Sequence, residues 1–176
     1  MKALAKSFEY AWQGFIYCLH HERNMRIHLV FTLYMYSFLL FFDYFKITGL
    51  ALSVIFIANA IVFMGELLNT AVENTINLLE KKYNKMAKVA KDTAAAAVLV
   101  GAFFSVAIGV ALLWQPEASK KLYQYYTGNI FMLICLIISL IVSIVYILIG
   151  PLAIRDYLTG KPKNTNNKAK VKGANK

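Results

Sequence analysis

Residues 47–65 form a run of nineteen positions in which only Thr48, Ser53 and Asn59 are polar, and the run ends directly on Glu66. Such a stretch approaches the roughly 20 residues needed to cross a bilayer core. A charged side chain at membrane depth costs about 2.5–3.5 kcal/mol, so it normally faces a protein interior or a wet cavity. The segment that follows, MGELLNTAVENTINLLE, keeps helical spacing. At about 100° per residue, Asn59, Glu66, Asn69, Thr70, Glu73 and Asn77 fall within roughly 60° of one line. A single helix over residues 47–79, about 50 Å long, therefore carries an apolar upper part and a polar stripe that emerges towards water. Asn59 alone reads as glue between packed helices, whereas a repeated stripe with two carboxylates points to a site.

Three further segments complete a membrane pattern. Residues 29–42 predict a short first span, 93–114 a third, and 130–149 a fourth interrupted only by Ser139, Ser143 and Tyr146. With 59% hydrophobic residues and a mean hydropathy of +0.54, the chain is too apolar for an ordinary soluble domain. Ahead of the spans, residues 3–19 are amphipathic: Leu4, Phe8, Ala11, Phe15 and Leu19 share one face, and Lys2, Lys6, Glu9 and Gln13 lie opposite. That pattern suits a helix lying in the membrane interface, where Tyr10, Trp12 and Tyr17 are at home. Pro116 is expected to break the third helix, leaving residues 117–129 as an external connection with Tyr123, Tyr125 and Tyr126 at the interface. From Gly160 the Lys, Asn and Gly content predicts a disordered basic tail.

The fold expected is all-α: a polytopic membrane helical bundle with an N-terminal interfacial amphipathic helix, three core transmembrane helices and an additional fourth. Residues 1–116 make the core, 117–151 the extra span with its connection, and 152–176 the tail. A net charge of +10 suggests nucleic acid, but its distribution excludes that reading. Sixteen of the nineteen basic residues flank the spans on one side, leaving only Lys46, Lys120 and Lys121 on the other. The positive-inside rule then puts both termini and the loop around residues 81–91 in the cytoplasm. Cys18 and Cys135 form neither a disulfide framework nor a metal-binding spacing. The first 26 residues lack an apolar core with a small-residue cleavage site, so no cleavable signal peptide is expected.

Carboxylates at two depths on one helix, Glu22, a basic loop and the neighbours Lys91 and Asp92 all gather on the cytoplasmic side. Three histidines around Glu22 in HHERNMRIH match no familiar zinc spacing. Phosphoryl transfer uses such parts: carboxylates for Mg²⁺, a cation for developing charge, and a base for an acceptor hydroxyl. Desolvation would make Glu66 a better base than a surface glutamate. No GxxxxGK[ST] loop is present, so a nucleotide site here is not a P-loop. Lys91 and Asp92, followed by four alanines that allow close helix approach, are expected to face the same interior as the Glu66 stripe. From chemistry alone, a lipid kinase and a proton- or cation-coupled transporter both stay open.

GELLNTAVEN followed by KVAKDTAAAAVLV, with FEYAWQGFIYCLHHERNMRIH upstream, resembles the small prokaryotic diacylglycerol kinase and undecaprenol kinase family. The resemblance covers residues 3–115 in order, and the pairing of ELLNTAVE with AKD is highly specific. It implies transfer of phosphate from Mg-ATP to the hydroxyl of a membrane lipid alcohol, by a homotrimer with sites shared between subunits, in the bacterial cytoplasmic membrane. Such a reaction feeds phospholipid or cell-envelope lipid-carrier recycling. Carried over by motif, Glu66 is the base on the lipid hydroxyl, with Asn69 supporting the site and Trp12 near lipid. Glu22 and Glu73 hold the metal, Lys91 and Asp92 support the phosphates, and Tyr10 and Tyr83 flank the nucleotide. Asn77, also on the nucleotide side, stands where the family usually has Asp. HERNMRIH is closer to the undecaprenol kinase branch. The fourth span and tail lie outside the family core, and a non-catalytic member of the same fold is the further alternative.

Overall fold

A computed structural model describes residues 2–159; the basic tail expected from residue 160 onward lies outside the described residues. Seven helices and no strands occur among them: α1 (Lys2–His21), α2 (Arg23–Phe41), α3 (Gly49–Leu79), α4 (Lys85–Leu113), α5 (Pro116–Gly128), α6 (Ile130–Ile149) and α7 (Pro151–Leu158). The starts of α3, α4 and α6 follow from capping chemistry. Thr48 Oγ1 accepts from Ala51 N at 3.2 Å, Asn84 Oδ1 from Met86 N at 2.9 Å, and Asn129 Oδ1 from Met132 N at 3.2 Å. Each satisfies an amide that the helix itself cannot bond.

α3 and α4 form the most extensive helix pair. Small residues allow the approach: a Cβ on Gly65 would lie 3.5 Å from Val98, one on Gly101 would lie 3.4 Å from Ile61, and Ser105 donates to the Ala58 carbonyl at 3.0 Å. α2 packs on α3 and, on its other side, on α6. Asn59 bonds Thr32 Oγ1 at 3.1 Å, the Tyr36 hydroxyl at 3.1 Å and its own Ile55 carbonyl at 3.0 Å, which makes it the helix glue expected of it. Tyr34 ties α2 to α6 through Ser139 at 2.8 Å and Ser143 at 3.2 Å. Most large apolar side chains of α4 and α6 point outward, as a bilayer requires.

α3, α4 and α6 are long and apolar enough to cross a membrane. α2, read from the sequence as the first span, is not among them, because Arg23, Asn24, Arg26 and His28 occupy its first two turns. It nonetheless reaches from one end of the bundle to the other. Its start meets the end of α6 through Arg26, and Phe42 beyond its end meets Tyr125 of α5 at a ring distance of 5.1 Å. The connection after α4 corrects the sequence reading. Pro116 does end α4, but it also opens α5 as its first residue, where a missing amide costs nothing.

Candidate functional site

At the end where α1 turns into α2, a small core holds Cys18, Leu19 and Met25, packed by Phe15, Ile16, Leu29, Phe63 and Leu67. α3 passes through this junction with its polar stripe. Glu66 is 2% exposed and Thr70 3% exposed, and Glu66 Oε1 and Thr70 Oγ1 have no hydrogen-bond partner. Both are unusual, since buried polar atoms are nearly always bonded. His28 Nε2 stands 3.4 Å from Oε1 but outside hydrogen-bond geometry. Thr70 lies beside Cys18, whose thiol is pushed above its ordinary value by burial.

Glu22 is the single extended residue between α1 and α2 and is half-buried. Burial raises its carboxyl above the ordinary range, the carboxylates of Glu73 and then Glu66 raise it further, and His21 and Arg26 pull it back. Glu22 therefore lies within electrostatic reach of both Glu73 and Glu66, which stand about two turns apart on α3. Asn69 and Glu73 are half-buried on the same stripe. Further along, the Lys91 ammonium donates to Asn77 Oδ1 at 2.6 Å across α3 and α4. Asp92 does not join it. Neighbours on a helix point about 100° apart, and Asp92 faces out to an exposed pair with Lys88 at 3.6 Å, which corrects the expectation of a shared interior. Tyr10 is 65% exposed on α1 and Tyr83 82% exposed in the turn before α4, so neither enters the buried cluster. Trp12 is exposed as well, but its ring stacks on Phe15 at 5.8 Å, and Phe15 meets Phe63 at 6.4 Å.

Phe63 belongs to a groove of about 590 Å³ between α2, α3 and α4, which is otherwise mostly apolar. Phe31, Met35, Val62 and Val106 form its walls, Trp114 and Ser119 its far end, and His28 its near end, beside Glu66. Sequence reasoning considered His28 only as a zinc ligand; its nearness to Glu66 needs the α2–α3 packing. Among the described residues no group of three or more His, Cys, Asp or Glu is arranged to hold a metal alone. The donor set does fit Mg²⁺ in its common form, with one or two carboxylates completed by phosphate oxygens and water. Glu22 and Glu73 are the two that would hold it.

Fold and site together define an all-helical membrane protein that keeps a buried, unbonded carboxylate where an apolar groove meets a cluster of acidic groups. Residues 9–113 match the prokaryotic diacylglycerol kinase family, and the chain belongs to that family. It is 37% identical over 117 residues to a diacylglycerol kinase of Synechocystis, an alignment covering 66% of this chain and 65% of that protein. The chain thus spans just under two thirds of that relative's length. It is 35% identical over 114 residues to an undecaprenol kinase of Bacillus subtilis, covering 64% of this chain and 88% of the relative. No solved structure matches the chain significantly.

Proposed function

We propose that the protein is an ATP-dependent lipid kinase that phosphorylates the hydroxyl of a membrane lipid alcohol, diacylglycerol or undecaprenol, the two named in its relatives. The observation that carries this reading is Glu66: a carboxylate 2% exposed, with Oε1 unpartnered, beside the residue that closes the apolar groove. A buried acceptor left free is costly in a structural role and useful for taking a proton. The groove walls hold the hydrocarbon chain and exclude water, so the hydroxyl is presented at Glu66. Glu66 takes its proton as the lipid oxygen bonds to the γ-phosphorus and the bond to the β–γ bridging oxygen breaks, releasing ADP. Mg²⁺, when bound, neutralises charge on the phosphates. Glu22 and Glu73 hold that end of the site, Lys91 offers its cation to the phosphates, Asn69 supports the site beside Glu66, and Asn77, Tyr10, Tyr83 and the outward-facing Asp92 flank the nucleotide from the solvent side. Trp12 contacts lipid. The assembly is a homotrimer in the bacterial inner membrane with both termini cytoplasmic.

The test is transfer of labelled phosphate from Mg-ATP to diacylglycerol and undecaprenol, offered separately to the reconstituted protein. Glu66→Gln should lower the rate by roughly 10²- to 10⁴-fold, the range of general base catalysis, with folding intact. Full activity in that variant would remove Glu66 from the chemistry. Failure of both lipids, together with ion flux in vesicles without ATP, would favour the transporter.

A further inference from the structure

One buried charge joins the family core to the part of the chain beyond it. Arg26 is 6% exposed, and it has no ion-pair partner among the described residues. Its Nε and Nη2 donate to the Ile147 carbonyl at 3.2 and 3.1 Å, and its Nη1 donates to the Leu19 and His20 carbonyls at 3.2 and 3.3 Å. α1 ends at His21 and α6 at Ile149, so all three acceptors lie in last turns, where carbonyls lack an intrahelical partner. Each helix C-terminus is equivalent to about half a negative charge. Two such ends compensate one guanidinium without a carboxylate. Gly150 completes the seat: its φ of 80° and ψ of 157° fall in a region open essentially to glycine. A Cβ there would lie 3.2 Å from the Arg26 Cζ.

The consequence falls on Glu22, one turn before Arg26. Its amide donates to the Cys18 carbonyl at 2.8 Å and its carbonyl accepts from Arg26 N at 3.4 Å, so its direction follows the angle at which α1 meets α2. Arg26 fixes that angle by standing on α2 and gripping the end of α1, and it is itself held by α6. The family match ends at residue 113, so this last support comes from outside it. We propose that Arg26 is a positioning residue that, seated on the end of α6, holds Glu22 in place for the metal nucleotide, so that α6 sets nucleotide affinity. This rests on the reading of Glu22 as a metal-holding residue.

The full-length protein in lipid nanodiscs is titrated with Mn²⁺ and a non-hydrolysable ATP analogue, with free Mn²⁺ read by electron paramagnetic resonance, and the Mg-ATP and lipid kinetics are measured alongside. Gly150→Ala, which puts a methyl against the guanidinium, and Arg26→Lys, which keeps the charge but loses the fork, should each weaken Mn²⁺–nucleotide binding roughly tenfold, as loss of an outer support of a metal ligand does. KM for Mg-ATP should rise in step while kcat and the lipid KM hold. Tyr34→Phe, which loosens α6 at mid-membrane only, should bind Mn²⁺–nucleotide like the wild type. Unchanged Mn²⁺ affinity in a folded Gly150→Ala or Arg26→Lys protein overturns the proposal, and so does a parallel loss in nucleotide affinity, lipid KM and kcat. If Gly150→Ala does not assemble, Arg26→Lys decides. A wild-type protein that binds no Mn²⁺–nucleotide would instead remove the metal-site reading of Glu22, and this proposal with it.

Discussion

Thr70 and Glu66 sit one helical turn apart with the two buried side-chain oxygens that lack a hydrogen-bond partner among the described residues, yet their roles separate by chemistry. A threonine hydroxyl is no base at neutral pH, so at Thr70 only the desolvation cost is left, about 1–3 kcal/mol for an unbonded buried group. Thr70→Val keeps the shape and removes that cost. It should raise stability by about 1 kcal/mol and leave phosphoryl transfer near the wild-type rate; a fall in melting temperature in detergent would mean that the hydroxyl is bonded after all. Glu22 gives a prediction with a sign. Its carboxyl is raised on folding, by burial first and by Glu73 and Glu66 next, so the folded state binds its proton more tightly than the unfolded state does. Stability from this group is therefore greatest in acid and declines as pH rises from the ordinary carboxylate range through the raised value. In Mg²⁺-free buffer Glu22→Gln should melt higher than wild type at neutral pH, with the gap closing on acidification. A constant gap across pH would assign the effect to packing.

The α3–α4 pair is where packing at the scale of whole helices is tightest. Gly101 faces Ile61 with room for little more than a methyl, since a Cβ would already stand 3.4 Å from Ile61 Cγ2. Gly101→Leu should cost about 1–3 kcal/mol as an overpacked substitution, seen as a lower melting temperature; an unchanged value would show that the pair slides apart cheaply. α3 was legible from residue spacing, because a polar stripe on an apolar run has one helical solution; α4 was legible only over its apolar part, since the helix already starts at Lys85 within the basic stretch. The bounds of α6 were legible from its nearly unbroken apolar run, which stops at Gly150 and Pro151. α5 was not, because Pro116 has the same sequence signature whether it ends one helix or opens another. Arg26 counted only as one of many flanking cations, since its acceptor Ile147 lies 121 residues away and offers a backbone carbonyl, which no side-chain pattern announces. His28 was opaque in the same way.

At the scale of the whole molecule the open question for topology is α2. Three helices are apolar enough to cross a membrane, and an odd number of crossings would put the two ends of the chain on opposite sides. The contacts argue for four. Arg26 at the start of α2 meets Ile147 at the end of α6, Tyr34 meets Ser139 and Ser143 halfway, and Phe42 meets Tyr125 at the far end. α2 therefore runs antiparallel to α6 over the full height of a helix about 30 Å long. Its weak hydropathy comes from Arg26 and its polar neighbours, and Arg26 is already neutralised by two helix ends instead of water. In a background of Cys18→Ser and Cys135→Ser, Ser119→Cys should react with a membrane-impermeant maleimide from outside spheroplasts, and Ser7→Cys on α1 and Thr159→Cys only after lysis. Labelling of Ser7→Cys from outside, with Thr159→Cys still protected, would mean three crossings, with α2 lying against the bundle without spanning, and would separate α1 and Glu22 from Glu73 and undo the reading of the site.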